Sequence, residues 1–283
     1  MEPSRGGVLI TGASTGIGEA TALRLDEVGF RVFAGVRKPE DGERLRSGAS
    51  DRLTILQPFD VTEPDHIAAA ARTVEQELAG TPLSGVVNNA GIAVGGPLEA
   101  LGLEEFRRSL EVNTVAPLAV AQAFLPLLRA WSGRIVNMSS IGGRLAQPFA
   151  GPYIASKFAL EAVNDVLRLE LIEWGIDVIA IEPGTIATPI WEKGSSQADD
   201  MLASMTPQQR ELYGKRGAKM AKLLARQNER GAPPSKVADA VEHALTSKRP
   251  RTRYLVGDAR MLLGLKTLLP PRLLDKLLYR MTS

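Results

Sequence analysis

The chain has 283 residues, 44% of them apolar and 23% charged, with a formal net charge of +2. That length suits one large α/β domain with a substantial core, and a charge so near neutrality gives no argument for a nucleic-acid partner. The absence of cysteine excludes disulfides, thiolate nucleophiles and thiolate metal sites, while His66 and His243 stand too far apart in sequence to suggest a zinc site or a Ser-His-Asp triad.

Residues 1–7 contain no apolar run, so no signal peptide is expected. Apolar stretches such as Val178-Ile179-Ala180-Ile181 are strand length and fall short of the roughly 20 residues of a membrane span. A cytoplasmic location is therefore expected. Gly7-Val8-Leu9-Ile10 reads as a buried strand that runs into the turn Thr11-Gly12-Ala13-Ser14-Thr15-Gly16-Ile17-Gly18. A helix is expected over 17–28, stopped at Gly29. Strands follow over 31–36 and 53–57, then a helix over 63–78 with Thr62 as its N-cap. A fourth strand covers 85–88, and a long helical stretch over 103–128 is interrupted at Pro117. A fifth strand over 133–138 leads to a helix over 152–174 closed by Gly175. A sixth strand over 177–181 is ended by Pro183-Gly184.

Beyond Pro183 the composition changes. Residues 186–232 are poor in β-branched side chains and rich in Met, Gln, Lys and Glu, which suggests a helical lid over a site. A helix over 233–245, with Ser235 as cap, and a last strand over 253–256 complete the pattern. The tail, about 259–283, is Leu-rich at helical spacing with Arg272, Lys276 and Arg280 between the leucines. It can be a packed amphipathic helix or a peripheral membrane contact. Strands alternate with helices and are continuously apolar. The expected fold class is therefore α/β: one Rossmann-type doubly wound domain over 1–283, with a parallel seven-stranded sheet, helices on both faces and a helical lid.

Five places carry chemistry. Gly12, Gly16 and Gly18 let the turn bend and approach a ligand, with Ser14, Thr15 and Ile17 between them and the next helix pointing its N-terminus at a pyrophosphate. At the end of the second strand Val36-Arg37-Lys38 stands where a ribose-binding carboxylate would exclude a 2′-phosphate, so NADP(H) is favoured over NAD(H) if the two cations are more than a solvated turn. Asp60-Val61 can contact adenine, or the carboxylate can cap the following helix. Asn88-Asn89-Ala90-Gly91 lies at a strand's carboxyl end, where open α/β sheets bind ligands.

The fifth place is Ser140 with Tyr153 and Lys157. A four-residue step puts phenol and ammonium on one helix face. The ammonium is expected to lower the phenol's pKa, making Tyr153 an acid/base with Ser140 holding a substrate oxygen. Asn113, on the long helix, can relay protons to Lys157 through a water or merely cap or face solvent.

With these residues in order, the chain resembles the short-chain dehydrogenase/reductase family over about residues 5–260. The matching positions are Thr11-Gly12-x3-Gly16-x-Gly18, Asp60, Asn88-Asn89-Ala90-Gly91, Asn113, Ser140, Tyr153-x3-Lys157 and Pro183-Gly184 with Thr188. The resemblance implies a catalytic tetrad of Asn113, Ser140, Tyr153 and Lys157, and nicotinamide contacts at Ile186 and Thr188. It also implies a homodimer or homotetramer paired through the helices around 103–128 and 152–174. Residues 32–37 and the long C-terminal part look most like members acting on steroids, retinoids and other lipophilic alcohols. The expected activity is hydride transfer between NADP(H) and a secondary alcohol, ketone or aldehyde. A catalytically silent NADP(H)-binding sensor or scaffold is the main alternative. An epimerase or lyase of the extended relatives fits the glycine spacing less well.

Overall fold

A computed structural model describes residues 5–190 and 205–282. Among these residues seven strands form one sheet: β1 (Gly7–Ile10), β2 (Arg31–Gly35), β3 (Leu53–Leu56), β4 (Leu83–Asn88), β5 (Arg134–Met138), β6 (Asp177–Pro183) and β7 (Arg253–Val256). Their spatial order is β3-β2-β1-β4-β5-β6-β7, and all neighbouring strands are parallel. The order reverses between β1 and β4. Connections from those two strands leave toward opposite sides, and a crevice opens at their carboxyl ends.

Successive side chains of a strand face opposite sides, so each strand feeds two cores. Val8 and Ile10 of β1 pack with Val237 and Val241 of α8 (Ser235–Thr246) and with α1 (Gly16–Glu27). Leu9, between them, packs on the other face with Val74 of α3 (Pro64–Leu78) and Phe124 and Leu128 of α5 (Ala116–Trp131). Both faces are apolar, which is why the strands carry no polar alternation.

The helix starting at Leu103 departs from expectation. α4 (Leu103–Leu110) passes into one π-helical turn, Glu111–Val115, before α5 begins. The Ala116 N–H donates to the Glu111 carbonyl, a five-residue step. The irregularity is centred on Asn113, one turn before Pro117, and the proline sits in the first turn of α5, where a missing N–H is tolerated. By length and composition alone the run Leu103–Trp131 could cross a membrane. Here Val120, Phe124 and Leu128 are fully buried against the sheet.

Three further details differ. Helix α2 (Pro39–Arg46) was not expected, because only Gly42 and Leu45 are buried and its sequence is otherwise polar. The N-cap of α3 is Glu63, since the Thr62 hydroxyl donates to Asp60 Oδ1 instead. Pro234, not Ser235, occupies the cap of α8. Helix α6 (Gly151–Glu170) ends in a 3-10 turn closed by Gly175 at φ +63°.

Of the expected lid, residues 191–204 lie outside the described residues. Of the rest, residues 207–230 form α7 (Pro207–Arg230), which packs on the tail helix α10 (Pro271–Thr282). The Arg216 guanidinium lies 5.5 Å from the Phe149 ring and 4.5 Å from the Tyr279 ring. The tail is two helices, α9 (Ala259–Leu268) and α10. Leu274 and Ala259 are buried against Ile141 and Leu145, just beyond Ser140.

Candidate active site

A cleft of roughly 630 Å³ lies at the carboxyl ends of the strands. The glycine-rich turn forms its floor. Gly12 and Gly16 have φ of +65° and +61°, a region that favours residues without a Cβ. A Cβ on Gly12 would stand 2.8 Å from Ala90 Cα, and one on Gly18 would strike the Gly12 carbonyl and Asn89 Nδ2. The loop after β4 is braced to this turn: Asn89 Nδ2 donates to the Thr11 and Gly12 carbonyls at 3.0 and 2.9 Å, and Thr11 Oγ1 accepts from the Asn89 and Ala90 amides at 3.0 Å each. The cradle has the narrow backbone and the helix N-terminus that a dinucleotide's phosphates need. Gly18→Ala is expected to weaken dinucleotide binding at least about tenfold and to destabilise the fold by about 1–3 kcal/mol, read by fluorescence titration and thermal melting. Wild-type values in both would contradict the close approach.

The residues expected around a cofactor line the cleft, namely Gly12, Ser14, Thr15, Gly16, Ile17, Gly18, Arg37, Asp60, Val61, Asn89, Ala90, Gly91, Tyr153, Lys157, Pro183, Gly184, Ile186 and Thr188, except Lys38 and Asn88, the latter buried with its Nδ2 donating to the Pro117 carbonyl and Asn137 Oδ1. Lys38 precedes α2 and its Nζ lies 3.8 Å from Glu40, so of the Arg37-Lys38 pair only Arg37 faces the cleft. Arg37 is 3.9 Å from Asp60. Asp60 Oδ1 accepts the Thr62 amide and hydroxyl at 3.0 and 2.8 Å, which braces the turn rather than capping α3. Burial works to raise the Asp60 carboxyl, but the Thr62 hydrogen bonds and the Arg37 and His66 charges together hold it below its ordinary value. Arg44, on the unexpected α2, donates to the Ser14 carbonyl and pairs with Glu19 at 2.5 Å, tying the turn from outside.

Ser140 follows β5, and its Oγ accepts the Gly142 amide at 3.0 Å. Tyr153 and Lys157 project from α6, with Lys157 Nζ 5.8 Å from the Tyr153 ring centre. Lys157 Nζ donates to the Met138 carbonyl at 2.7 Å. Burial lowers the ammonium to about 8, opposed by the charge of Glu161. The phenol corrects the sequence-based expectation. Burial pushes Tyr153 above its ordinary value, a hydrogen bond with Ser140 pulls the other way, and no depression by Lys157 emerges. Desolvation outweighs the Ser140 hydrogen bond.

Asn113 does not line the cleft; it is fully buried beside it. Its Oδ1 accepts the Ile92 amide at 2.9 Å, and its Nδ2 donates to the Ile92 carbonyl and to Ser156 Oγ, both at 2.9 Å. It thus pins the π-helical turn to the loop after β4 and to α6 through direct bonds. Gly91 lies beneath it: a Cβ there would be 3.1 Å from Asn113 Oδ1 and 3.9 Å from Lys157 Nζ.

Sequence reasoning missed Phe59, Ile92, Met138 and Ser139 in the lining, and Glu104, Arg107, Arg108 and Glu111 at the α4 end. The charged ones read locally as an exposed helix face. Only the position of α4 over the crevice gives them this place.

Three comparisons bear on this geometry. A family model described as short chain dehydrogenase matches residues 7–199. Retinol dehydrogenase 5 of Homo sapiens is 40% identical over 282 residues, covering 96% of this chain and 87% of the relative. An NADPH-dependent 3-dehydrocapnine reductase of Ornithobacterium rhinotracheale is 34% identical over 278 residues, covering 96% and 95%. The crystal structure of a short-chain dehydrogenase from Streptomyces avermitilis superposes with a TM-score of 0.77 at 26% identity, covering 94% of this chain and 93% of that one.

Proposed function

The chain belongs to the short-chain dehydrogenase family, and on that premise we propose that it is an NADP(H)-dependent oxidoreductase of a lipophilic secondary alcohol, ketone or aldehyde, steroid- or retinoid-like in character. The observation that carries this reading is that Ser140, Tyr153 and Lys157 line the same cleft as the glycine-rich turn. A retinol dehydrogenase and the 17-beta-hydroxysteroid dehydrogenase type 6 of Bos taurus among its relatives support the substrate class.

The turn from Gly12 to Gly18, with Asn89, Ala90 and Gly91, would hold the dinucleotide, and Ile186 and Thr188 would flank its nicotinamide end. When bound, the nicotinamide supplies hydride to a carbonyl or takes it from an alcohol. Tyr153 gives its phenolic proton to the developing alkoxide in reduction and takes it back in oxidation. Ser140, hydrogen-bonded with Tyr153, orients the substrate oxygen. Lys157, fixed on the Met138 carbonyl, presents positive charge beneath the phenol and a donor to the ribose. Asn113 holds the loop after β4 against α6 and so keeps Lys157 in register with that loop.

The test is consumption of NADPH with a panel of retinaldehydes and ketosteroids. Tight NADPH binding with no turnover of any of them would favour a silent sensor instead. Arg37 is the group assigned to the 2′-phosphate, because it lines the cleft beside a strand end that lacks a carboxylate. Arg37→Glu is expected to lower the preference for NADPH over NADH by roughly 10–100-fold, the value of one or two charge-assisted bonds. An unchanged ratio of kcat/KM values for the two nucleotides would discard that assignment.

A further inference from the structure

Lys157, Glu161 and Asp165 follow one another at four-residue steps on α6 and so share one helix face. Lys157 and Glu161 are both buried, at 5% and 6% exposure. Glu161 therefore stands one turn along α6 from Lys157, and little water screens the pair. Its other neighbours are accounted for by name. Arg253, at the start of β7, has its Nε 3.1 Å from Glu161 and also 3.1 Å from Glu182 of β6, while its Nη2 reaches Asp165 at 2.8 Å. Arg144, in the turn after β5, lies 3.3 Å from Glu182, and Lys266 of α9 donates to the Arg144 carbonyl. Asp165 is also paired with Arg168 at 2.8 Å. Arg253 is thus divided among three carboxylates, and Glu161 Oε1 is buried with no hydrogen-bond partner among the described residues. Glu161 is left only partly neutralised on the helix face it shares with Lys157.

We propose that Glu161 is a positioning residue for Lys157, its buried carboxylate on the shared helix face keeping the ammonium as a donor to ribose and a positive charge beneath Tyr153. Burial lowers Lys157 to about 8, and Glu161 is the one charge that opposes it. A purely structural role, tying β7 to α6 through Arg253, would leave the titration of Lys157 unmoved. This inference rests on the role of Lys157 proposed above, and the measurements separate the two.

The experiment measures NADPH dissociation constants by fluorescence, and kcat/KM, across about pH 6 to pH 10. The wild type is compared with Glu161→Gln, Glu161→Asp and Glu182→Gln, each with a thermal melt. In wild type NADPH affinity should fall above a midpoint set by Lys157. Glu161→Gln should move that midpoint, and the alkaline limb of kcat/KM, down by about 1 pH unit, the lower end of the effect of a close opposite charge. Glu161→Asp, with a shorter reach, should move it the same way by less. Glu182→Gln should move it by less than half as much as Glu161→Gln. An unchanged midpoint in folded Glu161→Gln overturns the inference, as does an equal shift from Glu182→Gln. If Glu161→Gln does not fold, an unchanged midpoint in Glu161→Asp overturns it. A wild type without Tyr153-dependent turnover overturns the functional reading itself, whereas turnover with unmoved midpoints overturns only the role of Glu161.

Discussion

Replacing Tyr153 with Phe is expected to lower kcat by about 10²–10⁴-fold, the range for loss of a placed acid/base, while NADPH binding stays near the wild-type level. The ring's packing is kept, and only the hydroxyl and its bond with Ser140 are lost, so the stability cost is about 1 kcal/mol. The same residue sets a sign for pH. Because burial raises the phenol, it is a proton donor across neutral pH. Ketone or aldehyde reduction should be flat there, and alcohol oxidation, which needs the phenolate, should rise with pH. Steady-state profiles in both directions check this. Turnover within tenfold of wild type in the Phe variant, or oxidation that does not rise with pH below the midpoint set by Lys157, would remove Tyr153 from the reaction.

Arg253→Met is expected to cost about 3–5 kcal/mol, since it leaves buried Glu161 and Glu182 without their shared cation. For a chain of this size that is a fall in Tm of roughly 6–15 °C. Burial, and then the neighbouring Glu161 charge, already raise the Glu182 carboxyl, opposed by Arg144 and Arg253. Losing Arg253 raises it further. A carboxyl raised in the folded state binds more protons there than when unfolded, so stability falls as pH rises through the window above its ordinary value. The variant should accordingly lose more stability at about pH 8 than at about pH 5. A loss below about 1 kcal/mol, or one that grows toward acid, would show that the two carboxylates do not depend on this guanidinium.

The sheet and its cleft were legible because their causes are local. A strand buried on both faces must be apolar throughout, so β1, β2, β4, β5 and β6 announce themselves, and a helix that starts against a phosphate site needs Gly12, Gly16 and Gly18. Tyr153 and Lys157 were legible because one helical turn joins them. What escaped depends on residues distant in sequence. Lys38 fell on the outside because α2 begins there, and α2 has too few buried residues to show in a periodic pattern. Asn113 bonds Ile92 and Ser156, 21 and 43 residues away, so its spacing says nothing of its partners. The direction of Tyr153's shift is set by desolvation among residues distant in sequence, which no local motif encodes. Arg253, Glu182 and Glu161 stand on three different elements, and nothing in their neighbouring residues marks them as one network.

The apolar support of the loop beyond Ser140 has a consequence in time. Ile141 and Leu145 are covered in part by Ala259 and Leu274, which leave the ribosome more than a hundred residues after them. Strands β1 to β6 and the helices between them can dock while synthesis is still under way. The segment that carries Ser140 waits for partners made late, and so does the face of β1 and α1 that packs on α8, so both ends of the cleft gain their full apolar support only near the end of synthesis.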